Sequence, residues 1–85
     1  MAIIDGTPGN DTLDGTIGND VINGLDGNDI IVGRGGTDTI NGGAGADSIY
    51  GGAQGDTVHG GAGNDIIRLA DGGQAFGEDD NDDIE

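Results

Sequence analysis

The residues best equipped for chemistry are seven aspartates set nine apart: Asp11, Asp20, Asp29, Asp38, Asp47, Asp56 and Asp65. Between them lie glycine-rich stretches, turn chemistry that leaves main-chain carbonyls free. The donor set is therefore all oxygen. There is no cysteine and His59 is the only histidine, whereas zinc and copper sites are built from imidazole and thiolate. Carboxylates and carbonyls suit a hard cation. A flexible cage of carbonyls favours calcium over magnesium, which prefers a small octahedral shell and keeps its waters. The same inventory argues against an enzyme, because no nucleophile has a base nearby in the sequence and there is no His pair.

A repeat must position these aspartates. From Gly6 the chain divides without a gap into GTPGNDTLD, GTIGNDVIN, GLDGNDIIV, GRGGTDTIN, GGAGADSIY, GGAQGDTVH and GGAGNDIIR, ending at Arg68. The first position is glycine in every unit (Gly6, Gly15, Gly24, Gly33, Gly42, Gly51, Gly60) and the sixth is the aspartate. The eighth is aliphatic: Leu13, Ile22, Ile31, Ile40, Ile49, Val58 and Ile67. Position four is glycine in all but one unit, Gln54 being the exception. After Arg68, LADGGQAFG places Gln74 where aspartate is expected. GEDDNDDIE, from Gly77, regains the motif one residue out of phase, with Asp82 and Ile84 in the key columns. Residues 1–5 thus read as a lead-in, 6–68 as the repeat domain, and 69–85 as a degenerate repeat with an acidic tail. That tail is either the start of a further repeat in a longer array or a frayed end, and from Glu78 onward disorder is the leading reading.

Each unit has a glycine-rich half and a β-prone half. Glycine at positions one and four is expected to supply positive φ, and Asn at position five (Asn10, Asn19, Asn28, Asn64) tolerates it nearly as well. The last three residues read as a short strand with the middle side chain inward. Such a strand cannot stand alone. Stacked with two units per turn, however, the strands form two parallel sheets whose inward aliphatics face each other. The predicted fold is all-β, a right-handed parallel β-roll (solenoid) of about 3.5 turns, its hand following from that of β crossovers. Chains of this size bury only about 60% of the surface that their unfolded form exposes, so the core is thin. Stacked aspartates repel one another, and something positive must join the columns.

Seventeen acidic residues stand against two basic ones, Arg34 and Arg68, for a formal net charge of -15. That balance excludes nucleic acid and anionic membrane as partners, since both need basic patches to displace counterions. It requires a cationic partner instead. Fifteen of the acids are aspartates, which suit turns and short, stiff metal ligands. The lack of cysteine is compatible with secretion. No signal peptide or membrane span is legible, so export would use another route. With loop n lying over loop n+2, seven loops give five inter-loop sites, and five calcium ions would neutralise about ten of the fifteen charges.

Units such as GGAGADSIY and GGAGNDIIR match the signature GGxGxDxUx at every defined position. Over residues 6–68 the chain therefore resembles the RTX (haemolysin-type) calcium-binding nonapeptide repeat family. The resemblance implies a parallel β-roll with each ion held between adjacent turns by the position-six aspartates of both loops. It also implies carbonyl ligands from positions two and four of the earlier loop and one and three of the later one. Carried onto this chain, the first site uses Thr7, Gly9 and Asp11 with Gly24, Asp26 and Asp29. The second uses Thr16, Gly18 and Asp20 with Gly33, Gly35 and Asp38. The third uses Leu25, Gly27 and Asp29 with Gly42, Ala44 and Asp47. The fourth joins Arg34, Gly36 and Asp38 to Gly51, Ala53 and Asp56, and the fifth joins Gly43, Gly45 and Asp47 to Gly60, Ala62 and Asp65. A sixth site using Gly52, Gln54 and Asp56 is disfavoured, because Gln54 resists positive φ and Gln74 offers no carboxylate opposite.

The remaining polar and aromatic residues read as structural. His59 sits outward on a strand, two arginines are too few for a binding patch, and Tyr50 and Phe76 read as packing at a sheet face or a cap. What the resemblance implies is an extracellular module, disordered in low calcium and folded in high, attached to a secreted hydrolase, toxin or adhesin exported by type I machinery. Catalysis would then lie in a covalently linked effector domain. An adhesive or ice-binding surface is the alternative. It needs regular outward rows, and the stacking gives Thr12, Ile30, Ser48, Ile66 on one sheet and Val21, Thr39, Thr57 on the other, with Asp14, Val32, Tyr50 and Arg68 as a further row. These are irregular.

Overall fold

The computed structural model describes residues 2–52, 55–69, 73–78 and 82–84. Among these, alternation of inward aliphatic and outward polar side chains produces ten short strands and no helix. They are β1 (Ala2–Asp5), β2 (Thr12–Asp14), β3 (Asp20–Asn23), β4 (Ile30–Val32), β5 (Thr39–Asn41), β6 (Ser48–Gly52), β7 (Thr57–His59), β8 (Ile66–Leu69), β9 (Gln74–Phe76) and β10 (Asp83–Ile84). Strands of three residues persist because each pairs in parallel with the strand two units away. One sheet runs β1-β3-β5-β7-β9 and the other β10-β8-β6-β4-β2. The chain therefore winds as a β-solenoid of about four turns, two units to the turn.

The register is the one that a nine-residue period dictates. Ile22 pairs with Ile40, Ile31 with Ile49 and Ile49 with Ile67, each step spanning two units. Ile22, Ile31, Ile40, Ile49, Val58 and Ile67 are fully buried and make up the core between the sheets. Ile4, Leu13, Leu69 and Ala75 pack against its two ends. The outward rows also fall as expected, with Thr12, Ile30, Ser48 and Ile66 in line.

Residues on both flanks of the repeat join its sheets. The lead-in, residues 2–5, is a strand that pairs with β3 in the register Ile4↔Ile22. At the other end the pairing is Thr57↔Gln74 and Ile66↔Asp83, steps of seventeen residues rather than eighteen. The eighth unit is thus one residue short. Gln74 is the first residue of β9, and Gly73 falls in the aspartate column. That single deletion explains the phase slip, and the segment from Gly77 carries Asp82–Ile84 into the ladder rather than into a frayed tail.

Candidate metal centre

The glycine-rich halves of the units form two stacks of loops, one at each edge where the chain passes between sheets. Within a stack the aspartates make a continuous ladder. The Oδ1 atoms of Asp29, Asp38, Asp47, Asp56 and Asp65 accept from the main-chain N–H of Asp11, Asp20, Asp29, Asp38 and Asp47, at 2.7 to 2.9 Å. Asp82 accepts from Asp65 in the same way at 2.9 Å. Every position-six aspartate from Asp20 to Asp65 is at most 2% exposed.

The second oxygen has a different environment. The Oδ2 atoms of Asp29, Asp38, Asp47 and Asp56 are buried and have no hydrogen-bond donor. A buried carboxylate oxygen without a partner is costly and marks a position that something else must satisfy. Beside the Oδ2 atoms of Asp29, Asp38 and Asp47 lies more oxygen, whereas Asp56 Oδ2 shares its space with the Leu69 side chain. A methyl group placed on Gly24 would sit 2.7 Å from both Asp29 Oδ2 and the Gly42 carbonyl. At Gly33 the pair is Asp38 Oδ2 and the Gly51 carbonyl, both at 2.8 Å, and at Gly42 it is Asp47 Oδ2 and the Gly60 carbonyl, at 2.6 and 2.8 Å. Gly6 and Gly15 border the equivalent pairs, Asp11 with Gly24 and Asp20 with Gly33. All five expected pairings of an earlier aspartate with a later position-one carbonyl are thus brought together.

Carbonyls of the earlier loop face the loop stacked on it. Those of Leu25, Arg34 and Gly43 lie where a side chain on Gly43, Gly52 and Gly61 would begin, and those of Gly9, Gly18, Gly27 and Gly45 where one on Gly27, Gly36, Gly45 and Gly63 would. Position-three residues Asp26, Ala44 and Ala62 are exposed at the bends, while a methyl placed on Gly35 would sit 3.1 Å from the Ile17 carbonyl. Ala53 and Gln54 lie outside the described residues. Among the described residues no group of three or more acidic or imidazole side chains converges, so a cation held here would depend on main-chain oxygens as well as carboxylates. At Asp29, Asp38 and Asp47 the facing Oδ2 and carbonyl oxygens have no proton donor between them, an arrangement that fits a hard cation.

Electrostatics point the same way. Burial pushes the carboxyls of Asp29, Asp38 and Asp56 above the ordinary range, and that of Asp47 up to about 7, despite the N–H bonds each accepts. Asp20 shifts oppositely, because the Thr16 amide stabilises its charge. Thr7 and Thr16, expected as carbonyl donors, donate their own amide and hydroxyl to Asp11 and Asp20.

Two expectations about the loops need correction. Positive φ is found at positions two and four, not one: Leu25 and Arg34 at 69°, Gly43 at 87°, Gly27 at 97° and Gly45 at 104°. The position-one glycines are required for space, since a side chain would fill the oxygen cradle. Nor do the described asparagines use the left-handed region. Instead the Oδ1 atoms of Asn10, Asn19 and Asn28 accept from the N–H of Asn28, Thr37 and Ala46, at 2.7, 2.7 and 2.8 Å. Sequence reasoning missed this second ladder, although the recurrence of Asn at a fixed column was its signal.

The remaining residues lie on the outer faces. His59 stacks on Phe76 with ring centres 5.0 Å apart and lies 3.8 Å from the Glu78 carboxylate. Arg68 lies over the Tyr50 ring at 5.9 Å, and Arg34 is 3.7 Å from Asp14.

The model of the RTX calcium-binding nonapeptide repeat (four copies) matches residues 5–40 and 32–67, most of the chain. No curated protein matches it. The period, the oxygen cradles and this match agree: the chain belongs to the RTX calcium-binding nonapeptide repeat family.

Proposed function

We propose that the chain is a structural module that folds as calcium binds between adjacent turns. The observation that carries the reading is the set of buried, donorless Oδ2 atoms on Asp29, Asp38, Asp47 and Asp56, the first three of them beside a carbonyl. Such a column of charge is unfavourable in water-poor surroundings unless it is neutralised. Calcium supplies that neutralisation when bound. The five sites pair Asp11 with Asp29, Asp20 with Asp38, Asp29 with Asp47, Asp38 with Asp56, and Asp47 with Asp65. Carbonyls from positions two and four of the earlier loop and one and three of the later loop complete each one.

The setting we infer is extracellular. A chain of net charge -15 with so small a core stays open where calcium is scarce, passes unfolded through a secretion channel, and closes where calcium is abundant. The repeat family is structural and non-catalytic, so any activity belongs to a domain linked to this one. Far-UV circular dichroism during calcium titration tests the reading, with magnesium as control. A coil spectrum that turns to β only with calcium supports it. An unchanged β signal in excess chelator would show that core and ladders suffice.

A further inference from the structure

The first two loops differ from the later ones whose positions two and four are both described, in a way that the repeat does not require. In the third, fourth, fifth and seventh units, positions two and four both lie in the left-handed region: Leu25 and Gly27, Arg34 and Gly36, Gly43 and Gly45, Gly61 and Gly63. Neither Thr7 and Gly9 nor Thr16 and Gly18 do so. A β-branched residue strongly resists positive φ. In that alternative backbone the exposed threonine folds its hydroxyl onto the aspartate of its own loop. The Thr7 amide donates to Asp11 Oδ2 at 2.6 Å and its hydroxyl lies 2.9 Å from Asp11 Oδ1, while the Gly9 N–H donates to the hydroxyl oxygen at 3.2 Å. Thr16 repeats the set on Asp20 at 2.7 and 2.9 Å, with Gly18 N–H at 3.1 Å. Asp11 Oδ2 and Asp20 Oδ2 therefore have donors, where the equivalent atoms of Asp29, Asp38, Asp47 and Asp56 have none.

We propose that Thr7 and Thr16 are a cation-independent cap: their amides and hydroxyls occupy the Asp11 and Asp20 carboxylates, so the first turn closes without metal and the sites that draw on those carboxylates fill last. The proposal rests on the reading of calcium between turns. It assigns the threonines a role opposite to that of ligands, because to bind an ion there the loop must release the hydroxyl and adopt the conformation of its successors. Hydrogen bonds to a charged group contribute enough to separate the two classes of site by about tenfold in calcium concentration.

The test follows amide resonances of the full chain during calcium titration. In the parent, Gly9 and Gly18 should reach half-shift at about tenfold more calcium than Gly36 and Gly45. In a T7G/T16G variant, which installs the residue found at position two of the fifth to seventh units, Gly9 and Gly18 should shift together with the others, whereas a T7S/T16S variant keeps the parent order. Tighter binding on loss of the hydroxyl separates this cap from a merely structural contact, whose removal would weaken binding. Simultaneous filling of all loops in the parent overturns the cap and leaves calcium binding intact. If no amide responds to calcium, both readings fall. Should the glycine variant fail to fold, the filling order of the parent and the serine variant still decides the matter.

Discussion

Replacing Asp47 by asparagine should have opposite effects with and without calcium. Asp47 Oδ1 accepts the Asp29 N–H at 2.8 Å, a bond that an amide oxygen can keep. Its Oδ2 has no donor and shares the space beside Gly42 with the Gly60 carbonyl. An amide nitrogen at that position becomes a donor to the carbonyl and removes the buried charge. Burial raises this carboxyl from 3.8 to about 7, which bounds the cost of its ionisation at roughly 4 kcal/mol, or about 2 kcal/mol after allowance for water at the loop. The folded state holds a proton that the unfolded chain releases near 3.8. The parent's stability without metal is therefore greatest below that pH and falls as pH rises through about 7. Urea denaturation of the chelated protein, with sucrose added to populate the folded state, should show Asp47→Asn more stable than the parent by about 2 kcal/mol at pH 8 and equal to it near pH 4. In calcium the order should invert. The variant's calcium midpoint should rise at least about tenfold, because ligand charge sets affinity and Asp47 borders two inter-loop spaces. A variant weaker than the parent in chelator at pH 8, or a parent whose stability rises with pH, would refute the reasoning.

Gly42→Ala puts a methyl 2.6 Å from Asp47 Oδ2 and 2.8 Å from the Gly60 carbonyl. It should lower stability in calcium by about 1–3 kcal/mol through overpacking and remove one ion from the stoichiometry measured by calorimetry. Leu25 is exposed and held at φ 69°, so Leu25→Gly should raise the thermal midpoint, with a gain of about 1 kcal/mol from relieved backbone strain. Asn28→Ala deletes the acceptor of the Ala46 N–H and should cost about 1 kcal/mol in urea titrations; an unchanged midpoint would mean that water replaces the bond.

The core and strand register were legible in the sequence because a strict period fixes both at once. Once Ile22, Ile31, Ile40 and Ile49 share a column, stacking two units per turn leaves one pairing, and that pairing is found. The placement of Asp11, Asp20, Asp29, Asp38 and Asp47 beside position-one carbonyls of the unit stacked next, Gly24, Gly33, Gly42, Gly51 and Gly60, was legible for the same reason. What the letters concealed is which property of a residue each column uses. Glycine lacks a side chain and also tolerates positive φ; the sequence does not say which is required, and position one uses the former while positions two and four use the latter. Asparagine likewise has two uses in turns, and this fold takes the side-chain acceptor. The short eighth unit was misread because Gln74 looked like a failed ligand. Only its pairing with Thr57 reveals that a residue is missing before it.

These bonds imply that the loops do not act independently. Asp29, Asp38 and Asp47 are each tied by Oδ1 to the amide of the loop before, and their Oδ2 atoms face the carbonyl of the loop after, always within one edge of the solenoid. One ladder runs Asp11, Asp29, Asp47, Asp65 and Asp82, the other Asp20, Asp38 and Asp56. Along a ladder, ordering one loop positions an oxygen of the next, so coupling is between nearest neighbours, as in other stacked repeats. Across the roll the two ladders meet through the facing aliphatics of the core, whose packing is blind to charge. The second ladder also ends sooner, since Gly73 occupies the column where a carboxylate would face Asp56. Charge neutralisation should therefore spread along an edge before it crosses the core, and the edge carrying Asp82 has the longer run of carboxylates over which to spread.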